Sequence, residues 1–178
     1  VEMGVQSVYD DVLEKLNRQH SVQTIIDSTQ RVKDSCLKVG YHMMGKLPHS
    51  TLQRDMRAHL EIFENPDFRP DMVKLYPVAV VENTLLYHWW KKGEYEEMSM
   101  EEAVEFYSEV KSRIPEWVRI MRVQRDIPSQ NISAGVKKTN LRQEVEKRMR
   151  EKGTRCRCIR CREIGFQRTR YGNVPGKI

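Results

Sequence analysis

Three cysteines crowd into six residues near the end of this 178-residue sequence. Cys156, Cys158 and Cys161 have the spacing C-x-C-x2-C, so one short loop can direct three thiolates at one tetrahedral metal ion. Flanking arginines would lower the thiol pKa values and favour the thiolate that metals bind. The spacing therefore predicts a zinc site, with an iron–sulfur cluster or three free thiols as alternatives. No fourth ligand is evident, and we expect Cys36 to be a small buried apolar residue.

A second set of polar residues lies where predicted strands end. Gly4 lets a ligand approach the backbone, and Gln6 with Arg18, twelve residues later, can grip a ribose and a carboxylate. The alternative is a strand end with a polar cap. His42 ends another predicted strand, just before the turn at Gly45, and such turns bind ligands in many parallel-sheet enzymes. Taken alone, His42 is more often a structural histidine.

Charge is distributed unevenly along the chain. The net charge is +6, yet residues 137–178 contain fourteen Lys or Arg against four Asp or Glu, and the first 136 residues are slightly acidic. Clustered basic residues release counterions from phosphate backbones, so the pattern predicts a polyanion partner. A solvated helix face is the alternative. The candidate phosphate contacts are Lys137, Lys138, Arg142, Lys147, Arg148, Arg150, Arg155, Arg157 and Arg160.

The pattern of apolar residues predicts the strands and helices that would position these polar residues. Strands are predicted at 1–6, 37–44, 72–81 and 117–123, and helices at 9–17, 22–35, 51–64 and from the capping box at Ser99 to Pro115. Repeated strand–helix–strand units indicate an α/β fold with a parallel sheet. Four strands are too few for an eight-stranded barrel, so we expect part of a (β/α) barrel. Chemistry would then gather at the strand ends, at Gln6, His42, Tyr76 and Arg122.

The pattern changes after Pro128. A loop is predicted at 129–139, a charged helix at 141–152, then the cysteine loop and a short strand at 164–171. We therefore divide the chain into a barrel segment, 1–128, and a cysteine-rich basic linker, 129–178.

The sequence also bears on location and completeness. No signal peptide and no apolar run long enough to span a membrane occurs in it, and clustered cysteines suit a reducing compartment. We expect a cytoplasmic protein. The chain opens at Val1 inside a predicted strand, without an initiator Met, so we expect a fragment.

Several of these segments resemble one family and occur in its order. They are GVQSVY at 4–9, NR at 17–18, HMM at 42–44, ENPDFRP at 64–70, KLYP at 74–77, VQRDIP at 123–128 and CREIG at 161–165. Together they resemble the catalytic subunit of Elongator across nearly the whole chain. The cysteine-rich form of the linker resembles archaeal and bacterial members.

The resemblance implies a tRNA acyltransferase that uses radical chemistry. In this family S-adenosylmethionine (SAM) on a [4Fe–4S] cluster yields a deoxyadenosyl radical. The radical activates the acetyl group of acetyl-CoA for addition to C5 of the wobble uridine, and hydrolysis leaves carboxymethyluridine. The family's cysteine triad and acetyltransferase domain have no counterpart in these 178 residues. We therefore expect this chain alone to be inactive.

The resemblance also suggests site residues and partners. Within the wider radical-SAM group, Gln6 and Arg18 fall at positions that contact SAM, and Tyr76-Pro77 falls at the strand that flanks the adenine. His42 stands where that group often carries Asp, and is included as a SAM candidate. The implied partners are tRNA, SAM and acetyl-CoA, and a homo-oligomer or Elongator-type subunits stay open. A different radical-SAM enzyme and an RNA-binding module without catalysis are the alternative functions.

Overall fold

The computed structural model describes the backbone of residues 1–171 and the side chains of residues 1–168. Its sheet has four parallel strands in the order β1-β2-β3-β4. The strands are β1 (Glu2–Gln6), β2 (Gly40–Gly45), β3 (Met72–Pro77) and β4 (Arg119–Val123). All four strand predictions are confirmed, although the strand predicted at 72–81 ends at Pro77. Beyond it, only Val80 pairs, in an isolated antiparallel bridge with Ala134.

Helices connect the strands and cover one face of the sheet. They are α1 (Asp10–Lys15), α2 (Val22–Asp34), α3 (Leu52–Glu64), α4 (Leu85–Lys91) and α5 (Met100–Arg113). Alternate strand residues such as Tyr41, Met43 and Leu75 are fully buried against this helical layer. The period of two leaves the intervening residues on the opposite, inner face.

Local sequence sets the helix boundaries. Ser99 accepts a hydrogen bond from the Glu102 amide while the Glu102 side chain accepts one from the Ser99 amide, so the predicted capping box is present. Thr51 caps α3, since its side chain accepts a hydrogen bond from the Arg54 amide. The Ser50 hydroxyl instead donates to the buried carboxylate of Asp55 at 2.6 Å, which ties the β2–α3 loop to the helix.

The linker packs onto the strand layer at the open edge of β4. It contains α6 (Leu141–Glu151), α7 (Ile159–Arg162) and α8 (Ile164–Tyr171). The Ile159 amide donates to the Val118 carbonyl at 2.9 Å, and the buried side of α6 joins the main core. The strand predicted at 164–171 is wrong, since this segment is the helix α8. Its short alternating pattern fits either structure, and the extended residue Glu163 separates it from the turn of α7.

No helix within residues 1–171 is both long enough and apolar enough to cross a bilayer.

Candidate functional site

Gly4, Gln6 and Arg18 come together at the carboxyl end of β1. The Arg18 guanidinium donates to the Gly4 carbonyl at 3.1 Å. A Cβ added to Gly4 would lie 2.9 Å from Gln6 Nε2 and 3.1 Å from Arg18 Nη2, so a larger residue would displace the ends of these two flexible side chains. Gln6 has a positive φ of 59°, which ends the strand. Its Oε1 is buried and has no hydrogen-bond partner among the described residues.

This corner can accept a polar ligand. Next to it is a cavity of about 210 Å³, lined by Gly4, Arg18, His20 and Thr24 among others. The unsatisfied amide oxygen of Gln6 fits a ligand with hydroxyl or amino groups, as the ribose and amino acid parts of SAM have. His20 was not a candidate from the sequence. Burial, followed by the nearby Arg18 charge, lowers its pKa.

His42 lies on the inner face in a three-residue charge cluster. Its Nε2 lies 2.9 Å from the Glu2 carboxylate, which also pairs with the Lys74 ammonium. Hydrogen bonds from Lys74 and then from His42 hold the pKa of Glu2 below its usual value. Sequence reasoning missed Glu2 and Lys74. Their signal was the period of two, since each alternates with apolar residues that face the helices.

Tyr76 and Pro77 end β3, with Tyr76 on the inner face beside His42 and Pro77 on the face that the helices cover. The Tyr76 ring meets His42 edge-on, with 5.8 Å between ring centroids, and burial raises the pKa of its phenol. Pro77 pairs with Gly45 at the last position of the β2–β3 ladder. Since parallel strands are about 4.8 Å apart, the β1 corner and Tyr76 are separated by roughly 10 Å across the strand ends. A ligand lying across the sheet can touch both.

The three linker cysteines converge as the spacing predicts. The sulfur atoms of Cys156, Cys158 and Cys161 all lie within 4.8 Å of one another, and Cys158 and Cys161 are buried. The turn of α7 brings the last two together. Three convergent soft ligands fit Zn²⁺, which thiolates bind at about 2.3 Å.

The electrostatics of this cluster differ from expectation. The pKa of Cys158 is lowered because the thiols of Cys156 and Cys161 donate to its sulfur, and no arginine is the leading cause. Arg157 pairs with Glu116 at 3.2 Å, and Arg162 donates to the Glu116 carbonyl at 2.6 Å. These arginines therefore serve partly to attach the loop to the segment before β4.

Cys36 is not the fourth ligand. It is exposed, with a positive φ of 56°, just after the end of α2, and it stands outside the sulfur cluster. The prediction that it is a buried apolar residue is wrong, because the chain needs a left-handed turn there to leave the helix. Within residues 1–171, the three linker cysteines form a metal-type group with no fourth His, Cys, Asp or Glu ligand close by.

The basic residues of α6 point in different directions. Lys147 and Arg150 are exposed on the side opposite the buried stripe of the helix. Arg148 pairs with Glu151 at 3.6 Å and lines a groove beside the acidic face of α5. Arg142 is half-buried, and burial followed by the neighbouring Arg160 charge lowers its pKa. The helix thus offers a smaller shared basic face than its sequence suggests.

The other candidate phosphate contacts surround this helix. Lys137, Lys138 and Arg155 are exposed. The Arg160 guanidinium lies 4.5 Å from the centroid of the Phe166 ring, a cation–π contact, and its side chain is half-buried.

Comparison with known proteins agrees with this architecture. The family model described as the Radical_SAM C-terminal domain matches residues 70–151. A tRNA uridine(34) acetyltransferase of Methanocaldococcus infernus is 52% identical over 175 residues, which are 98% of this chain and 33% of that protein. Human Elongator complex protein 3 is 45% identical over all 178 residues, which are 32% of its length. Over nearly its whole length, this chain is homologous to one segment of the Elongator complex protein 3 proteins.

A solved structure of a family member has the same fold. The archaeal Methanocaldococcus infernus Elp3 with N-terminus deletion (1-46) superposes with a TM-score of 0.95 at 52% identity, covering 99% of this chain and 41% of that chain. The chain spans about a third of the length of the curated family members that it matches.

Proposed function

We propose that this chain is part of a tRNA-modifying enzyme that forms carboxymethyluridine at the wobble uridine, using SAM radical chemistry and acetyl-CoA. The observation that carries the proposal is 52% identity, over 98% of the chain, to a protein named tRNA uridine(34) acetyltransferase. Residues 1–128 are then the later strands of a partial radical-SAM barrel, and residues 129–178 a zinc-binding linker. The ligands of the [4Fe–4S] cluster and the acetyl-CoA site would lie outside these 178 residues. A cytoplasmic location stays a prediction.

In this proposal the inner face of the sheet binds SAM. When bound, SAM on a reduced cluster supplies the radical. Gln6 would use its unsatisfied amide oxygen to accept from the cofactor, and Arg18, fixed on the Gly4 carbonyl, would hold its carboxylate. His42 and Tyr76 would form the opposite wall, with Pro77 at the strand end next to them. The Glu2 charge holds His42 in a fixed orientation on that wall.

The zinc site has a structural role in this proposal. It would hold a loop that covers the edge of β4, because the cysteine loop hydrogen-bonds to Val118 and contributes Cys158 and Cys161 to the main core. Covering an edge strand also protects it from pairing with other chains. Ligation energy then becomes folding energy for the linker.

The exposed basic residues of the linker would bind the tRNA backbone. Lys137, Lys138, Lys147, Arg150 and Arg155 are exposed side chains suited to phosphate contacts, which position RNA without reading its sequence.

The deciding experiment is a gene deletion followed by mass spectrometry of tRNA. We expect loss of carboxymethyl-type modification at the wobble uridine, restored by the wild-type gene and not by one encoding Gln6→Ala. Unchanged modification would refute the proposed function. If the purified full-length protein cleaved SAM while tRNA stayed unmodified, another radical-SAM reaction would replace it. Binding of tRNA without any deoxyadenosine formation would support the RNA-binding module instead.

A further inference from the structure

A basic pocket opens between the carboxyl end of β4 and the first turn of α6. It has a volume of about 640 Å³, within the range of ligand sites. One wall is the segment from Arg122 to Pro128, and the other includes Arg142, Gln143 and Arg160. We call it the β4–α6 pocket. It is separate from the Gln6–Arg18 corner, which lies at the far strand of the sheet.

Two polar groups in this pocket have unused hydrogen-bonding capacity. Gln124, with a positive φ of 103°, donates through Nε2 to the Lys138 carbonyl at 2.7 Å, which fixes the orientation of its amide. Its Oε1 is buried and lacks a hydrogen-bond partner in the described part of the chain. Nη2 of Arg142 is likewise buried without a hydrogen-bond partner among the described residues. Groups of this kind cost free energy unless a ligand or water satisfies them.

The charges of the pocket favour an anion. Of its four arginines, Arg122 is neutralised by an ion pair with Asp126. Burial and then the nearby Arg160 charge lower the pKa of Arg142, although Glu146 and the nearby thiols partly offset this. The N-terminus of α6, where Asn140 makes no side-chain cap hydrogen bond, adds positive potential to the same wall. An anion between the two guanidinium groups would remove their repulsion and use the free Nη2 donor.

We propose that the β4–α6 pocket binds a phosphate group, and specifically one of the RNA backbone, with Arg142 and Arg160 as its ligands. A donor on the adjoining nucleoside, such as a ribose hydroxyl, can satisfy Gln124 Oε1. The inference rests on the proposed function, because that function supplies the RNA. A phosphate of the coenzyme acetyl-CoA has the same chemistry and is the alternative source.

The first variant places a negative charge in the pocket without removing any arginine. In the full-length protein, Gln143→Glu adds a carboxylate of nearly the same shape to the wall of the pocket, and Gln30→Glu adds one to the exposed surface of α2 as a control. We expect Gln143→Glu to weaken tRNA binding at least about fivefold, because like charges at an interface oppose binding, and Gln30→Glu to leave it within about twofold. Arg142→Gln should weaken it about tenfold and lower the log–log salt slope by about 0.7–0.9.

The outcomes separate the pocket from the proposed function. If tRNA affinity is unchanged in Gln143→Glu and acetyl-CoA affinity falls, the pocket is a phosphate site for the coenzyme. If neither affinity changes in either pocket variant, the phosphate site is refuted, while tRNA binding and modification by the wild type still support the proposed function. If Arg142→Gln loses zinc together with tRNA affinity and Gln143→Glu behaves as wild type, Arg142 serves the cysteine cluster and the pocket proposal fails. Absence of wild-type tRNA binding would refute the proposed function itself.

Discussion

Acidification should destabilise this protein through one buried histidine. His59, on α3, is fully buried, and Nδ1 lies 2.7 Å from the Asp55 carbonyl. Its Nε2 is buried without a partner in the described residues, and the rings of Phe106 and Tyr107 lie against it. Burial lowers the pKa of His59 to about 4. A charged imidazole would have no acceptor for the second N–H at this position, so the folded state favours the neutral form.

The sign and size of the effect follow from linkage. In the unfolded chain His59 binds a proton near pH 6.5, and in the folded chain only near pH 4. The contribution of the neutral His59 to the free energy of unfolding is therefore complete above pH 6.5 and is lost as the pH falls towards 4. At pH 5.0 the loss amounts to about 2 kcal/mol, since each pH unit in this window costs about 1.4 kcal/mol. Other titrating groups, including Asp55 with its pKa raised by burial, also contribute to the total pH dependence.

The contribution of His59 can be isolated by comparing how much unfolding free energy each of three proteins loses between two pH values. We would measure the free energy of unfolding in urea at pH 7.5 and pH 5.0 for the wild type, for His59→Gln and for His88→Gln, an exposed control. The wild type and the control should lose about 2 kcal/mol more on acidification than His59→Gln does. Equal losses in all three proteins would show that His59 does not titrate as its burial requires.

Three further results are expected. Cys158→Ser should release the zinc, measured as metal per chain, and expose the linker to protease, whereas full retention of the metal would point to another site. Gln6→Ala and Arg18→Ala in the full-length protein should impair SAM cleavage while tRNA affinity stays nearly unchanged, and equal loss of both would mean that the sheet had unfolded. Lys111, fully buried on α5, pairs with Glu146 of α6 at 3.3 Å. Both Lys111→Ala and Lys111→Met remove this ion pair, but only the alanine also leaves a cavity. Lys111→Ala should therefore cost about 3–5 kcal/mol in urea unfolding and Lys111→Met less, and equal costs would contradict this.

Sequence periodicity was sufficient for the strands and for most of the helices that connect them. The four strands, the capping box at Ser99 and the convergence of the cysteines all depend on local patterns, so they were predictable. The segment 164–171 was not, because eight residues of mixed character fit a strand or a helix until the preceding turn is known. Cys36 was misjudged because its exposure depends on how α2 ends in space.

Long-range charge contacts lay beyond the sequence for a different reason. Glu2 and Lys74 are 72 residues apart, and only the parallel register places both beside His42. Arg142 looked like any other basic residue on a charged helix. Its burial depends on how the first turn of α6 packs against the segment after β4.

The β4–α6 pocket and the inner face of the sheet are neighbours, and this has a kinetic consequence. Arg122, on the wall of the pocket, is the register partner of Lys74, so the pocket lies about one strand spacing from the charge cluster on β3. A phosphate held there would place the adjacent nucleoside next to the carboxyl end of β3, where Tyr76 lies. Phosphate contacts would then position the substrate and the strand ends would act on its base. Arg142→Gln should accordingly raise KM for tRNA while SAM cleavage without tRNA proceeds at the wild-type rate. If that SAM cleavage falls as well, with zinc and the unfolding midpoint unchanged, the pocket acts on the cofactor and the positioning role is wrong.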